Sequence, residues 1–215
     1  MDFACVVPLI GTLLGGCVSA NTPGDLTFVS VQAVDWYNVA ELPGPNASPV
    51  LGMVSERQLR EAGESVSGGE KPHQLLLKVE FTSATNLPKF VQERSYNLGN
   101  TGFLCSRPDN RAGVSFPYIF WQGIRLGQHE PDPISRYGVA AGAPIVYYMF
   151  VGVAFPKFVP PKPEYEYDLR QKPEDVCFYV RGGSGSGGGY RSNTVIVPKA
   201  AIEAALRNLP PGFGG

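Results

Sequence analysis

Histidine is scarce in this 215-residue chain, which has only His73 and His129, so an imidazole base would have to be one of these two. Serine-hydrolase chemistry lacks its framework: no Gly-x-Ser-x-Gly elbow occurs, and the Gly-Ser run 182–189 has the wrong spacing. Cys177 with His129 could form a thiol pair, but a disulfide at Cys177 would block it. No Gly-Lys-Ser/Thr is present to complete a phosphate loop. Gly183-x-Gly185-x-x-Gly188 matches the dinucleotide fingerprint in spacing, yet it leads into a strand where that chemistry needs a helix N-terminus. Charge is low and balanced, with 18 Lys and Arg against 19 Asp and Glu, which leaves no basic stripe for nucleic acid. No apolar run reaches the roughly 20 residues that span a bilayer. The densest acidic groups are His129-Glu130-Pro131-Asp132 and Glu164, Glu166 and Asp168. They fall short of the roughly six to eight oxygens that calcium takes and read as solvated loops. The expectation is therefore no catalysis, no cofactor, no metal and no nucleic-acid partner.

What is present is hydrophobic matter and turns. Hydrophobic residues make up 43% of the chain, enough for a core, and 26 Gly and 20 Pro punctuate it into short segments. Residues 73–83 contain the clearest alternation: Leu75, Leu77, Val79 and Phe81 fall on one face, with Leu76, Lys78, Glu80 and Thr82 on the other, a strand with one buried side. Further strands are expected at 26–37, with Thr27, Val29, Val31 and Ala33 on one face, at 117–126, and at 144–155 as a central strand. A final pair is expected at 176–181 and 193–198. The stretch 88–103 is ambiguous, with room for an edge strand near 90–93. A helical turn or two is expected at 55–62 and a short helix at 198–208, where Pro198 suits the first turn. Residues 209–215 read as a tail, and no internal repeat occurs.

Cys177-Phe178-Tyr179-Val180, the Gly-rich turn and Ser192-Asn193-Thr194-Val195-Ile196-Val197 together resemble the last hairpin of immunoglobulin-like and fibronectin type III sandwiches. About seven strands suit the same architecture. The resemblance implies a mainly β domain over 26–208, an antiparallel two-sheet immunoglobulin-like sandwich with a short C-terminal helix.

The apolar run 3–14 ends in Leu14-Gly15-Gly16-Cys17. This tetrad resembles the lipobox of bacterial lipoproteins: an aliphatic residue, two small residues that let a peptidase approach the backbone, and a thiol that accepts lipid. The resemblance implies that 1–16 is a signal peptide, that Cys17 carries diacylglyceryl and fatty acyl (palmitate-type) chains, and that 17–25 is a tether. Val18 in place of Asp then points to the outer membrane, facing the periplasm or the cell surface. Cys5 leaves with the leader, so Cys105 and Cys177 remain, and two cysteines in an exported chain are expected to pair.

Aromatic residues are the remaining candidates for contact. Trp36, Trp121, Tyr147, Tyr165 and Tyr167 lie among several that alternate to the face opposite the expected core. Rings exposed on a sheet can stack on sugars or anchor a protein. The leading expectation is a lipid-anchored, non-catalytic binding or scaffolding module of the cell envelope. It would be attached to the membrane by its anchor and have a protein or glycan partner. The alternatives are a periplasmic carbohydrate-binding or hydrolytic protein using an aromatic sheet face, and a lipoprotein subunit of a secretion or surface-filament assembly.

Overall fold

The computed structural model describes residues 22–35, 75–108, 114–127, 131–140, 142–154, 167–185 and 187–209. The leader, Cys17, Trp36, the turns expected at 55–62, His73, His129, Tyr165 and most of the tail lie outside these residues. Within them, two antiparallel sheets pack face to face.

The first sheet grows around the strand with the strongest alternation. β2 (Leu75–Ser83) pairs on one side with β1 (Thr27–Asp35) and on the other with β6 (Ile145–Gly152). β6 stands in the middle of five strands, in the order β1-β2-β6-β4-β5, as its apolar run 144–155 predicts. In β1 the pairing steps from Phe28↔Phe81 to Ser30↔Glu80, which leaves Val29 as the extra residue of a bulge. The expected face of Thr27, Val29, Val31 and Ala33 is thereby broken. Val29 is 48% exposed, while Phe28, Val31 and Ala33 turn to the core.

Residues 117–126 are not one strand but two: β4 (Ile119–Trp121) and β5 (Ile124–Leu126), folded into a hairpin. Gln122 and Gly123 at the tip both have positive φ, 46° and 82°, the geometry of a two-residue type I′ turn. The reversal sends Ile119, Trp121, Ile124 and Leu126 into the core, whereas a straight strand would have grouped Phe120 with Ile124.

The second sheet is built on β7 (Val176–Gly183). β3 (Gly99–Leu104) pairs with one edge, and β8 (Gly189–Arg191) and β9 (Val195–Val197) share the other. Between β8 and β9 the ladder is carried by Ser192, whose N–H donates to the Val180 carbonyl (2.8 Å) and whose Oγ accepts from the Val180 N–H (2.9 Å). Taken in chain order, the sheets follow the ABED and CFG arrangement of constant-type immunoglobulin sandwiches, with the β4–β5 hairpin in the position of the fourth strand. The core lies between them. Phe81 stacks on Tyr147 at 5.7 Å between centroids and meets Phe178 across the sandwich at 5.2 Å.

Helices close the ends. The possible edge strand at 90–93 is instead part of α1 (Leu87–Arg94). Asn86 caps it, with Oδ1 accepting from the Lys89 N–H at 3.1 Å, and Pro88 sits in the first turn where no donor is needed. Leu87, Phe90 and Val91, spaced for a helix, are its buried face. α2 (Pro133–Tyr137) is a short turn within the connection 127–143. α3 (Lys199–Arg207) is the expected C-terminal helix, burying Ile202 and Ala205. No helix among the described residues is long and apolar enough to cross a membrane.

Both open sides of the sandwich are sutured. On one, Asn193 grips the backbone of Leu26, accepting from its N–H (3.0 Å) and donating to its carbonyl (2.8 Å). On the other, segment 114–118 bonds to both layers. Val114 N–H donates to Gly102 of β3 and the Pro117 carbonyl accepts from Asn100, while Phe116 N–H donates to Phe150 of β6 and the Val114 carbonyl accepts from Gly152. The buried Asn100 side chain completes the seam by donating to the Phe116 (2.8 Å) and Tyr118 (3.0 Å) carbonyls and accepting from Ser115 Oγ (2.6 Å).

Candidate functional site

The aromatic residues singled out from the sequence divide sharply. Trp121 is 3% exposed and belongs to the core, because the β4–β5 reversal turns it inward. Tyr147 is wholly buried beneath the loop that leads into α1. Its hydroxyl accepts from the Leu87 N–H at 3.0 Å and donates to the Thr85 carbonyl at 2.9 Å, so it satisfies the start of α1. Tyr167 is half-buried, donating to the Gly152 carbonyl at 3.1 Å. Trp121 and Tyr147 are therefore structural and not presented for binding.

Cys105 and Cys177 are bonded, with Cα atoms 5.0 Å apart. The bridge joins the end of β3 to β7 within one sheet, not across the two sheets as in antibody domains. It also removes the thiolate that a Cys177–His129 pair would need. Asp132 serves as the cap of α2, its carboxylate accepting from the N–H groups of Ile134 (2.9 Å) and Ser135 (3.2 Å) and from Asn86 Nδ2 (2.9 Å). Asp168 holds Arg170 in a two-point contact at 2.9 and 2.7 Å. The bond from Arg170 outweighs partial burial and draws the Asp168 carboxyl below its ordinary range. Among the described residues no three His, Cys, Asp or Glu side chains converge as a metal site. The Gly-rich run is the turn between β7 and β8, with Gly187 and Gly188 at φ 96° and 83°.

Alternation on the polar side of β2 and β6 conceals an aromatic cluster. On the outer face of the first sheet, Val34, Leu76, Phe120 and Phe150 form a second buried group rimmed by partly exposed Phe116, Tyr118 and Tyr148. Phe120 stacks on Tyr148 at 5.3 Å and meets Phe150 edge-on at 5.4 Å. Its charges are internally matched. Lys78 Nζ sits 4.5 Å above the Tyr148 ring and 2.8 Å from Glu80 Oε1, while Ser30 Oγ donates to Glu80 Oε2 at 2.8 Å. Burial pushes the Glu80 carboxyl up, but the bonds from Lys78 and Ser30 prevail and hold it below the usual range. Burial pushes the Tyr148 phenol up to about 12, against a backbone bond from Gly123. Arg125 lies 5.2 Å over Tyr118.

The outer face of the second sheet is different. Arg181 and Arg191 are directly opposite each other in the β7–β8 register, and both are exposed. Arg191 stacks on Tyr179 at 3.9 Å. Beyond them lie Phe103, the disulfide and Ile196, which is 53% exposed.

The fold defines a class: a two-layer antiparallel sandwich of immunoglobulin strand order, disulfide-bonded within one sheet. No family model, no curated protein and no solved structure matches the chain.

Proposed function

We propose that this chain is a lipid-anchored protein of the bacterial cell envelope that acts as a non-catalytic binding or scaffolding module. The observation that carries the reading is the Cys105–Cys177 bond, because such bonds form and persist in oxidising compartments such as the periplasm. It supports export, and Leu14-Gly15-Gly16-Cys17 supplies the matching means of retention. Removal of 1–16 would leave Cys17 to carry acyl chains, and more than one chain gives stable anchoring. Val18 favours the outer membrane as destination.

The rimmed aromatic cluster of the first sheet favours a second reading, glycan binding on that face. Phe116, Tyr118 and Tyr148 present part of their rings beside the matched pair Lys78–Glu80, a combination suited to stacking and hydrogen bonding with a sugar. Calorimetric titration with peptidoglycan fragments separates the readings, since heat that disappears in Tyr118→Ala favours the glycan.

Mass spectrometry and membrane fractionation test the anchor. The expected result is acylation at Cys17, with Cys17→Ala recovered unacylated in the soluble fraction and processing blocked by globomycin. A native protein with an unmodified Cys17 and its leader intact, or a Cys17→Ala variant still in the membrane, overturns the proposal.

A further inference from the structure

Like charges placed directly opposite on neighbouring strands repel and are disfavoured. Arg181 and Arg191 are such a pair, and among the described residues neither has a carboxylate partner. The first sheet neutralises its outer lysine with Glu80, but the strand residues of this face include no acid. Gly99 stands opposite Arg181 on the other side, in β3, and adds no side chain above the strand. Arg191 is held flat by its stack on Tyr179, so part of the entropy of fixing a guanidinium has already been lost before any ligand arrives. The face is an outer sheet surface, and the four steps along β7 from Cys177 to Arg181 set its length at about 13 Å. Cations lie at one end and exposed Ile196 at the other.

We infer that this face lies against the phosphate-bearing headgroups of an anionic lipid surface. The inference rests on the lipid-anchor reading, and the position of the tether is what selects a membrane over an acidic protein segment. The chain enters the body at Leu26, which is clasped by Asn193, two residues from Arg191. From Cys17 to Leu26 the backbone reaches at most about 30 Å, less than the roughly 40 Å diameter expected of a body this size. An anchored body on so short a lead presents the surfaces around Leu26 to the bilayer. The acid nearest the entry point, Asp25, is already engaged by Ser83 Oγ at 2.8 Å and by the Ala84 N–H. Two guanidinium groups then meet phosphate oxygens with the planar, two-point geometry that arginine favours, while Ile196 faces the headgroup boundary.

Each cation near an anionic leaflet is worth about fivefold in partitioning, so the pair should contribute roughly thirtyfold. This is weak for a free protein and ample to orient a tethered one. The test uses the full chain carrying Cys17→Ser, with vesicles of phosphatidylcholine alone or mixed equally with phosphatidylglycerol. The leader contributes equally to every arm. We expect roughly thirtyfold stronger partitioning to the anionic vesicles, lost in Arg181→Gln/Arg191→Gln and lost in about 1 M salt, where screening acts within about 3 Å. Circular dichroism of the double variant should be unchanged, since both side chains are exposed. Equal preference in the variant, no preference in the parent, or binding of polyglutamate with no binding of vesicles overturns the inference. An arginine-dependent preference in a protein whose native Cys17 proves unmodified refutes the anchor and leaves the lipid-facing role standing.

Discussion

Alkaline pH should unfold this body cooperatively, and four phenols account for it. Tyr147, Tyr167 and Tyr190 each donate their hydroxyl hydrogen to a backbone carbonyl, at Thr85 (2.9 Å), Gly152 (3.1 Å) and Asn97 (3.3 Å). A phenolate has no hydrogen to donate and would set its charge against that carbonyl. Tyr148 is packed against Phe120 and Phe150. Burial pushes all four phenols up, Tyr148 to about 12 and the others further. In the unfolded chain they ionise near pH 10, so above that pH the folded state holds protons that the unfolded state has released. Their stabilisation is complete below pH 10 and is lost as pH rises toward and past 12. Each phenol removes somewhat over 1 kcal/mol per pH unit, on the order of 5 kcal/mol together by pH 11. A domain has about 5–15 kcal/mol in total. Tyrosinate absorbance and far-ultraviolet circular dichroism, followed together, should show these four tyrosines ionising only as the strand signal collapses. Ionisation of Tyr147, Tyr148, Tyr167 and Tyr190 near pH 10 with unchanged dichroism would refute the reasoning.

Two further perturbations probe the second sheet. Opening the Cys105–Cys177 bridge, with reductant or as Cys105→Ser/Cys177→Ser, frees a loop with a sequence separation of 72. The cost should be up to about 4 kcal/mol, seen as a melting temperature lower by roughly 10 °C. An unchanged melt would show that the bridge carries no stability. Gly182→Ala would drive a methyl group into the Asn97 backbone carbonyl and to 2.7 Å from Tyr190 Cε1, costing about 3 kcal/mol or more in urea denaturation. Gly185→Ala, with open space around it, should stay within about 0.5 kcal/mol of the parent.

The legible parts of this fold are those where one local signal acts alone. β2 announces itself by strict alternation, β6 by an apolar run that must be central, and α3 by the Pro198 that suits a helix start. What escaped were places where a single residue changes the phase. One extra residue at Val29 shifts the face of β1, and the left-handed pair Gln122-Gly123 folds an apparent strand back on itself. Gln-Gly is a weak turn signal beside the Asn-Gly that marks such hairpins. α1 was obscured because Asn86 and Pro88 look like loop residues until the cap they form is seen. The same phase error misassigned the aromatics: Trp121 was expected outside and lies inside. Phe120 and Tyr148 join Phe150 and Leu76 in an outer cluster that a two-sided alternation conceals. The pairing of Cys105 with Cys177, expected for an exported chain, is present in the structure.

Because segment 114–118 is stitched to a strand of each layer, the sheets cannot part along that side without tearing both ladders at once. Along that side, among the described residues, the two layers behave as one laminate and not as a hinged pair.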